Sequence, residues 1–583
     1  MIVLRPLTAL DCSFTPFMGN YTVLESVTSR TKGASSQFFQ QGLEHAFGFN
    51  QDEAQNSFFC CLEADPTNSL CAWGLTYAYG PFLNKPNCGE EDLQLANYYA
   101  KQAVELLDDT YTAEEVALIS SAPVRFPTDD INFNQTEAYE AYRNYMADVH
   151  DKFPNDVDLA TFYAESEMTL SSSAGLDFYV DSKEMTHSDP TQSSIDAMKA
   201  LEFVMSKVDQ PLALHLYIHI TEPLSPGSDA AKGELSADKL ARLNYTGSGH
   251  MEHMPGHLYL RVGRYNDVIK NNVLATNADD LYDANKHIAY GPAHNVYFLA
   301  VAAALDGQLP VALEYSEKMR DIYLSGHYDD GPGDEEGWNA YLIFLLRFGK
   351  FDEILNDAYA IAIPEIFELP DVNYAILLGH FARGVSFYKQ GSVDDAQKCL
   401  EQVNTLMASD ELALKYLARS KVASYTLSAL VYDDVEYWRL AADEQNSWGY
   451  NSPPHWALSS NTCYGSKLLS TNNPVSALAA FETDLAEYPI NPWALYGRYQ
   501  AMNALPDTFS AEEISEALNN ANKAWERSEE SLMTPCWLLF SPETSELPKL
   551  SCGCGLCCSD NSCGADSGCD CTCTCPNCSG KCC

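Results

Sequence analysis

Small and large apolar residues recur along the chain at fixed spacings, and these spacings predict pairs of packed helices. Gly42 is followed by Ala54 twelve residues later, by Phe58 after sixteen and by Pro66 after twenty-four. Small residues on two helices let them approach closely, a large apolar residue fills the gap beside them, and proline ends the unit. The same spacings recur in Gly465, Ala477, Phe481 and Pro489, and the first three recur in Gly384, Ala396 and Leu400.

This pattern resembles the tetratricopeptide repeat (TPR), a helical hairpin of about 34 residues. The resemblance covers most of residues 38–530. It implies an all-α fold, a TPR-type helical-hairpin solenoid. The predicted organisation is an irregular N-terminal segment (1–37), the solenoid (38–530), a linker (531–549) and a Cys-rich tail (550–583). From Ser551 onwards the tail has one large aliphatic residue, Leu556, and no aromatic residue, so it cannot form an apolar core and is predicted to be disordered.

Seven of the thirteen histidines lie between residues 215 and 294. The first helix of each repeat lines the inner surface of such an array, and three- and four-residue steps share one helix face. Pro211, Gly263 and Gly307 set the phase of three units, and Pro154 sets that of an earlier unit. That phase predicts an inner-face set consisting of His215, His219, Glu222, His250, His253, His257, His294 and Glu165. His287 falls in a predicted loop and is left out.

Imidazole and carboxylate groups from neighbouring helices suit a divalent transition metal, and Zn, Cu, Fe and Ni are all compatible. With an open coordination position the metal could activate water, with Glu222 or Glu165 as the base. That reading corresponds to a metal-dependent hydrolase or oxygenase, although no HExxH motif is present. Alternatively, the histidines bind a small polar ligand without metal, together with four tyrosines, Tyr217, Tyr259, Tyr290 and Tyr297. In a further alternative the protein is an interaction scaffold whose groove takes a basic or extended peptide, or another protein.

Four sequence elements also resemble an uncharacterised group of TPR-like proteins, which share YIHxxE, HMPxHxYxRVGRY, PHNxxFL and PPxW. Here the elements lie at Tyr217–Glu222, His253–Tyr265, Ala293–Leu299 and Pro453–Trp456, and Ala293 replaces the proline of PHNxxFL. The resemblance implies no reaction.

The tail carries a second candidate chemistry. Adjacent and alternate thiolates suit clusters of soft ions, so the sequence predicts a Zn, Cu or Cd site there. In Cys-x-Cys and Cys-Cys density the tail resembles metallothioneins. The candidate ligands are Cys552, Cys554, Cys557, Cys558, Cys569, Cys571, Cys573, Cys575, Cys578, Cys582 and Cys583.

The net charge and the remaining cysteines limit which partners and which cellular compartment are expected. With 35 basic and 81 acidic residues, the net charge of −46 disfavours nucleic acid and anionic membrane surfaces. No apolar run is long enough to span a membrane, and a cytoplasmic location is predicted. In a reducing compartment eight further cysteines are expected to be buried free thiols: Cys12, Cys60, Cys61, Cys71, Cys88, Cys399, Cys463 and Cys536.

Overall fold

The computed structural model describes most of the chain up to residue 540. The described residues are 12, 23–26, 33–128, 132–173, 190–224, 230–245, 247–285, 287, 289–325, 337–360, 372–409, 412–448, 450–531 and 534–540.

Helices follow one another through these residues, so the predicted all-α class is confirmed. In the first half they are α1 Ala34–Phe47, α2 Gln51–Ala64, α3 Ser69–Tyr79, α4 Glu90–Glu105, α5 Ala113–Arg125, α6 Gln135–Lys152, α7 Val157–Ser173, α8 Gln192–Met205, α9 Pro211–Thr221, α10 Glu234–Leu243, α11 Gly249–His253 and α12 Pro255–Arg261. In the second half they are α13 Tyr265–Ala284, α14 Pro292–Leu305, α15 Leu309–Ser325, α16 Gly337–Arg347, α17 Phe351–Asn356, α18 Val372–Lys389, α19 Val393–Met407, α20 Leu417–Val431, α21 Val435–Asn446, α22 Ser460–Ser470, α23 Pro474–Glu487, α24 Pro492–Asn503 and α25 Ala511–Ala524. Short 3-10 helices span Ala230–Gly233 and Leu414–Tyr416. Among the helices described here, none is long and apolar enough to cross a bilayer.

The predicted hairpin packing is present at both ends of the helical series. A Cβ placed on Gly42 of α1 would lie 2.7 Å from the Phe58 ring of α2, and one on Gly74 of α3 would lie 2.3 Å from it. Phe481 of α23 lies in the same way between Gly465 and Gly497. One phenylalanine therefore packs between two close-approaching glycines of the flanking helices, which gives the TPR-type arrangement of hairpins in series.

The boundaries of the packed unit differ slightly from the prediction. The first helix begins at Ala34, and Ser26 already donates its backbone N–H to Asp158 Oδ2 at 2.6 Å. At the other end, Cys536 and Leu538 are buried. The first compact unit ends at Leu539, so part of the predicted linker belongs to it. Residues 541–583, which include the predicted tail, lie outside the described residues.

Two large apolar cores fill this unit, one built from residues between 23 and 220 and the other from residues between 214 and 538. Helix α9 belongs to both. Leu212, Leu216 and Ile220 pack in the first core, and Leu214 and Ile218 pack in the second. Every residue of α9 is buried, as expected of a helix that is apolar on all sides. The polar side chains of α9 therefore have to find partners inside the protein.

The prediction that eight cysteines are free thiols is wrong for six of them. Disulfide bonds join Cys12 to Cys60, Cys61 to Cys71 and Cys463 to Cys536. Sequence alone failed here because the cysteines of two pairs are far apart along the chain. Cytosolic reductants keep thiols free, so these bonds are at odds with the predicted cytoplasmic location. Cys88 and Cys399 are free, as predicted, but only Cys399 is buried and Cys88 is partly buried.

Candidate metal centre

Six histidines on four helices form two adjacent clusters. His215 and His219 lie on α9, His250 and His253 on α11, His257 on α12 and His294 on α14. We call His215, His219 and His250 the first triad, and His253, His257 and His294 the second triad. Within each triad, one nitrogen from each ring lies within 4.8 Å of the other two. The sequence predicted one shared surface, whereas the structure divides the histidines into two groups.

The helix breaks directly after His253, within the segment that carries His250, His253 and His257. The sequence predicted a single helix through His250, His253 and His257, but α11 ends at His253 and α12 begins at Pro255. Proline has no backbone N–H, so it cannot continue the hydrogen-bond ladder of α11. Gly256 follows, and a Cβ there would lie 2.9 Å from Nδ2 of Asn272. The glycine therefore lets Asn272 reach the second triad.

In the first triad the outward-facing ring nitrogens are held by acceptors. Nδ1 of His215 donates to the backbone carbonyl of Phe47 at 2.6 Å, and Nδ1 of His219 donates to Oε1 of Glu222 at 3.0 Å. The Nε2 atoms of His215 and His250 lie 3.2 Å apart. Nε2 of His219 is buried without a hydrogen-bond partner. Because a neutral imidazole that donates from Nδ1 carries a lone pair on Nε2, the lone pair of His219 is available to a cation, and that of His215 faces Nε2 of His250.

The second triad repeats this arrangement. Nδ1 of His253 donates to Oδ1 of Asn272 at 2.6 Å, and Asn272 is oriented by its own donation to the Val268 carbonyl at 2.9 Å. Nδ1 of His257 lies 3.0 Å from Oγ of Ser452. The Nε2 atoms of His253 and His257 are 2.8 Å apart. Two lone pairs at that distance would repel, so the contact needs either a hydrogen on one of the two nitrogens or a metal ion between them.

Glu222 lies between the triads and contacts both. Its Oε1 accepts from Nδ1 of His219 in the first triad, and its Oε2 lies 2.5 Å from Nδ1 of His257 in the second. Oε2 also accepts the Tyr450 hydroxyl at 2.6 Å. Histidine ligands of metals almost always donate their second ring N–H to a carboxylate, a backbone carbonyl or water. Glu222 is thus placed as an orienting residue behind the triads, whereas the sequence analysis had it among the ligands.

Burial controls the protonation of the cluster. It holds the pKa values of His215, His250 and His253 well below the usual range, and neighbouring histidines lower them further. Burial on its own raises the pKa of Glu222, but the charge of His257 and the hydrogen bonds from both histidines outweigh it and keep that pKa well below its usual value. Burial therefore favours neutral imidazoles at His215, His250 and His253, and the contacts to His219 and His257 favour an ionised Glu222.

Aromatic rings close the space around each triad. Phe49 lies over the first triad, with its ring centroid 4.6 Å from that of His215 and 5.6 Å from that of His219. Phe298 lies 4.9 Å from the ring of His253 and 4.8 Å from that of His257. Each triad is thus backed by one phenylalanine, which adds an apolar wall to a buried polar site.

Other predicted site residues lie elsewhere. Glu165 is not in either triad, because its carboxylate accepts the Tyr77 hydroxyl at 2.7 Å in the aromatic layer behind Phe47. The hydroxyls of Tyr217 and Tyr259 bind Glu202 and Asp238.

Two more of the tyrosines named in the sequence analysis, and the histidine left out of the site, have the following contacts. Tyr290 packs edge-on against His250 at 5.1 Å, and the Tyr297 hydroxyl points to the Pro454 carbonyl at 3.5 Å. His287, which the sequence left out of the site, lies 2.8 Å from the Glu53 carboxylate.

The four segments that carry the second resemblance meet at this centre. Tyr217–Glu222 and His253–Tyr265 supply three of the six histidines together with Glu222, and Ala293–Leu299 supplies His294. Pro453–Trp456 follows Ser452, which contacts His257. The Cys-rich tail and its predicted ligands lie outside the described residues.

Several residues that orient the histidines were missed by the sequence analysis. They are the Phe47 carbonyl, Asn272, Tyr450 and Ser452. Asn272 could have been found, because it lies on the helix that follows α12 and is a buried amide with a defined helical phase. Ser452 and the Phe47 carbonyl give no signal in sequence, because they are 195 and 168 residues from their histidine partners.

Comparisons with known proteins add little to this geometry. No protein-family model matches the chain, and no curated protein matches it either. Among solved structures it is similar to Ypp1, with a TM-score of 0.36 and 11% identity over 87% of this chain and 89% of that one. It is also similar to the TPR domain of P58(IPK), with a TM-score of 0.21 and 10% identity over 86% of this chain and 100% of that one. Likenesses at this level decide nothing about function.

Proposed function

We propose that the protein binds a transition metal through the two histidine triads. The observation that carries the proposal is the orientation of the imidazole rings. Their Nε2 atoms face the inside of a triad, and the Nδ1 atoms of the same rings contact acceptors outside it. This outer support was seen for His215, His219, His253 and His257. It is the arrangement that raises the basicity of metal-bound imidazole and fixes its orientation.

A proton alone does not account for the site. A proton shared between His253 and His257 relieves one contact, but Nε2 of His219 is still buried without a partner. An unsatisfied buried polar atom costs about 1–3 kcal/mol. A metal ion among the rings of the first triad satisfies that atom together with the close pair formed by His215 and His250.

The alternative of a peptide groove lined by these histidines is less well supported. His215 and His253 have no exposed surface, so neither can touch a peptide without rearrangement of the surrounding helices. Interaction with proteins elsewhere on the surface stays a prediction, as does soft-metal binding by the tail.

The test uses the full-length chain in which the twelve cysteines from Cys552 to Cys583 are replaced by serine, called here the tail-serine chain. This protein is dialysed against Zn or Cu, and bound metal and thermal stability are measured. We expect stoichiometric metal and a higher Tm, because a ligand that binds only the folded state stabilises it.

A matched pair of variants locates the metal. In His253→Gln, metal and stabilisation should both decrease. His45→Gln removes an equally buried histidine whose Nδ1 lies 3.2 Å from the Tyr282 hydroxyl, outside both triads, and should keep the metal. Loss of metal in neither variant, or no metal in the parent, contradicts the proposal.

A further inference from the structure

The two triads are near enough to act as one centre. The ring centroids of His250 and His253, one from each triad, lie 6.0 Å apart, and those of His219 and His257 lie 6.3 Å apart. A metal–imidazole bond is about 2.0–2.1 Å long, so an ion in each triad would have the other ion as a close neighbour. Enzymes with two metals hold them about 3.5–4 Å apart, a separation that these rings allow.

Glu222 contacts one histidine of each triad. One oxygen of its carboxylate orients His219, and the other orients His257. A movement of Glu222 therefore changes a ligand of each ion at once. An orienting group shared in this way couples the two triads and favours one two-ion centre over two independent sites.

The donor set selects among metals. Each triad offers three imidazoles, and neither contains a carboxylate or thiolate. Non-haem iron sites typically combine two histidines with a carboxylate, and Mg and Ca prefer oxygen. Copper binds imidazole well and stands highest in the divalent affinity order. Three neutral donors are also compatible with Cu(I), because an ion of single charge needs less anionic compensation in a buried site.

We propose that the triads hold a pair of copper ions, one per triad, and that the pair binds dioxygen between the ions. This inference rests on the proposed metal-binding function and adds the number of ions, the element and the ligand. Phe49 and Phe298 back the two triads with apolar walls. Such walls suit a small uncharged diatomic ligand better than a charged or bulky substrate.

The electrons given up and taken up in the dioxygen-binding step balance. Each Cu(I) gives up one electron and becomes Cu(II), and dioxygen takes up the two electrons to become a bridging peroxide. No proton or outside reductant enters the step. Release of dioxygen returns both electrons to the two copper ions, so the step is reversible.

The test loads the tail-serine chain with Cu(I) under argon and then admits air. We expect two copper ions per chain, a near-ultraviolet peroxide-to-copper absorption that appears with air and fades under vacuum, and no electron paramagnetic resonance signal. The signal is absent because two bridged Cu(II) spins pair.

One triad is then disabled by His294→Gln, with His250→Gln as the equivalent change in the other triad if the first variant loses helicity. After oxidation with ferricyanide, one copper per chain and one full Cu(II) signal are expected, and His45→Gln should keep two silent copper ions.

The outcomes separate the two proposals. One ion per chain in the parent, two ions with full signals, or zinc retained in preference to copper overturns the copper pair and leaves the metal-binding function standing. Two silent copper ions without an air-dependent absorption overturn dioxygen binding. No retained metal overturns both proposals.

Discussion

The Tyr450 hydroxyl donates to Oε2 of Glu222 at 2.6 Å, although the two residues are 228 positions apart in the chain. The Tyr450 ring is itself covered by the guanidinium of Arg261, whose Cζ lies 4.7 Å from the ring centroid. Glu222 is buried, so its rotamer is fixed by these neighbours. The orientation of one ligand in each triad therefore depends on a loop from the second half of the protein.

Removing the charge of Glu222 should weaken metal binding. We expect the metal Kd of the tail-serine chain to rise about 10- to 100-fold in Glu222→Gln, because outer-shell partners contribute to that extent. Isothermal titration with Cu or Zn measures it. Glu202→Gln is the control, since Glu202 accepts the Tyr217 hydroxyl on the far side of α9. An unchanged Kd in Glu222→Gln would show that the carboxylate does not support the ligands.

Tyr450 should act through Glu222. Tyr450→Phe removes one hydrogen bond to the carboxylate and keeps the ring, so a smaller rise in the metal Kd is expected than in Glu222→Gln. When both changes are combined, the second should add little, because residues in one network are not additive. A double variant whose two effects multiply independently would contradict this coupling.

The close approach of helices at Gly74 should not tolerate a methyl group. Gly74→Ala gains about 1 kcal/mol in helix propensity, but its Cβ would lie 2.3 Å from the Phe58 ring, and overpacking a core costs about 1–3 kcal/mol. We therefore expect a lower Tm, partly restored by Phe58→Leu. Gly89→Ala is the control, because Gly89 has φ −73° and its Cβ would lie 4.0 Å from Asp92. A Gly74→Ala protein as stable as the parent would refute this packing.

Asp279 should make the protein less stable as pH rises. Burial raises the pKa of Asp279 to about 7, despite the hydrogen bond from Asn295. Between about pH 4 and 7 the unfolded chain has lost this proton while the folded protein keeps it, so stability falls by up to roughly 1.4 kcal/mol per pH unit. The fall is complete above the folded pKa.

The variant Asp279→Asn should lose this part of the pH dependence. Its stability relative to the parent should therefore be higher at pH 8 than at pH 5. Thermal melts at both values measure the difference. The exposed neighbour Asp280, which pairs with Lys318 at 2.8 Å, provides the control variant Asp280→Asn. Equal slopes in the parent and in Asp279→Asn would contradict the raised pKa.

The fold could be predicted from sequence where packing leaves a periodic mark. The glycine, alanine and phenylalanine spacings around Phe58 and Phe481 follow directly from the close approach of two helices, and both contacts are present. The same periodicity placed His215 and His219 on one helix face. It failed after His253, because Pro255 ends one short helix and begins another.

Two aspects of the site had no local signal. The division into triads depends on how α9, α11, α12 and α14 cross, which helix phase does not specify. Glu165 has the helical phase expected of an inner-face residue, yet its carboxylate is taken by Tyr77 from another hairpin. Residue spacing also did not predict the disulfide between Cys463 and Cys536, which are 73 residues apart.

X-ray absorption at the metal edge of the loaded tail-serine chain tests the central claim most directly. Binding by the triads predicts a first shell of nitrogen at about 2.0–2.1 Å, the length of a metal–imidazole bond, with the outer scattering of imidazole rings and no sulfur. A first shell of sulfur, a shell of oxygen without imidazole scattering, or no retained metal would contradict it.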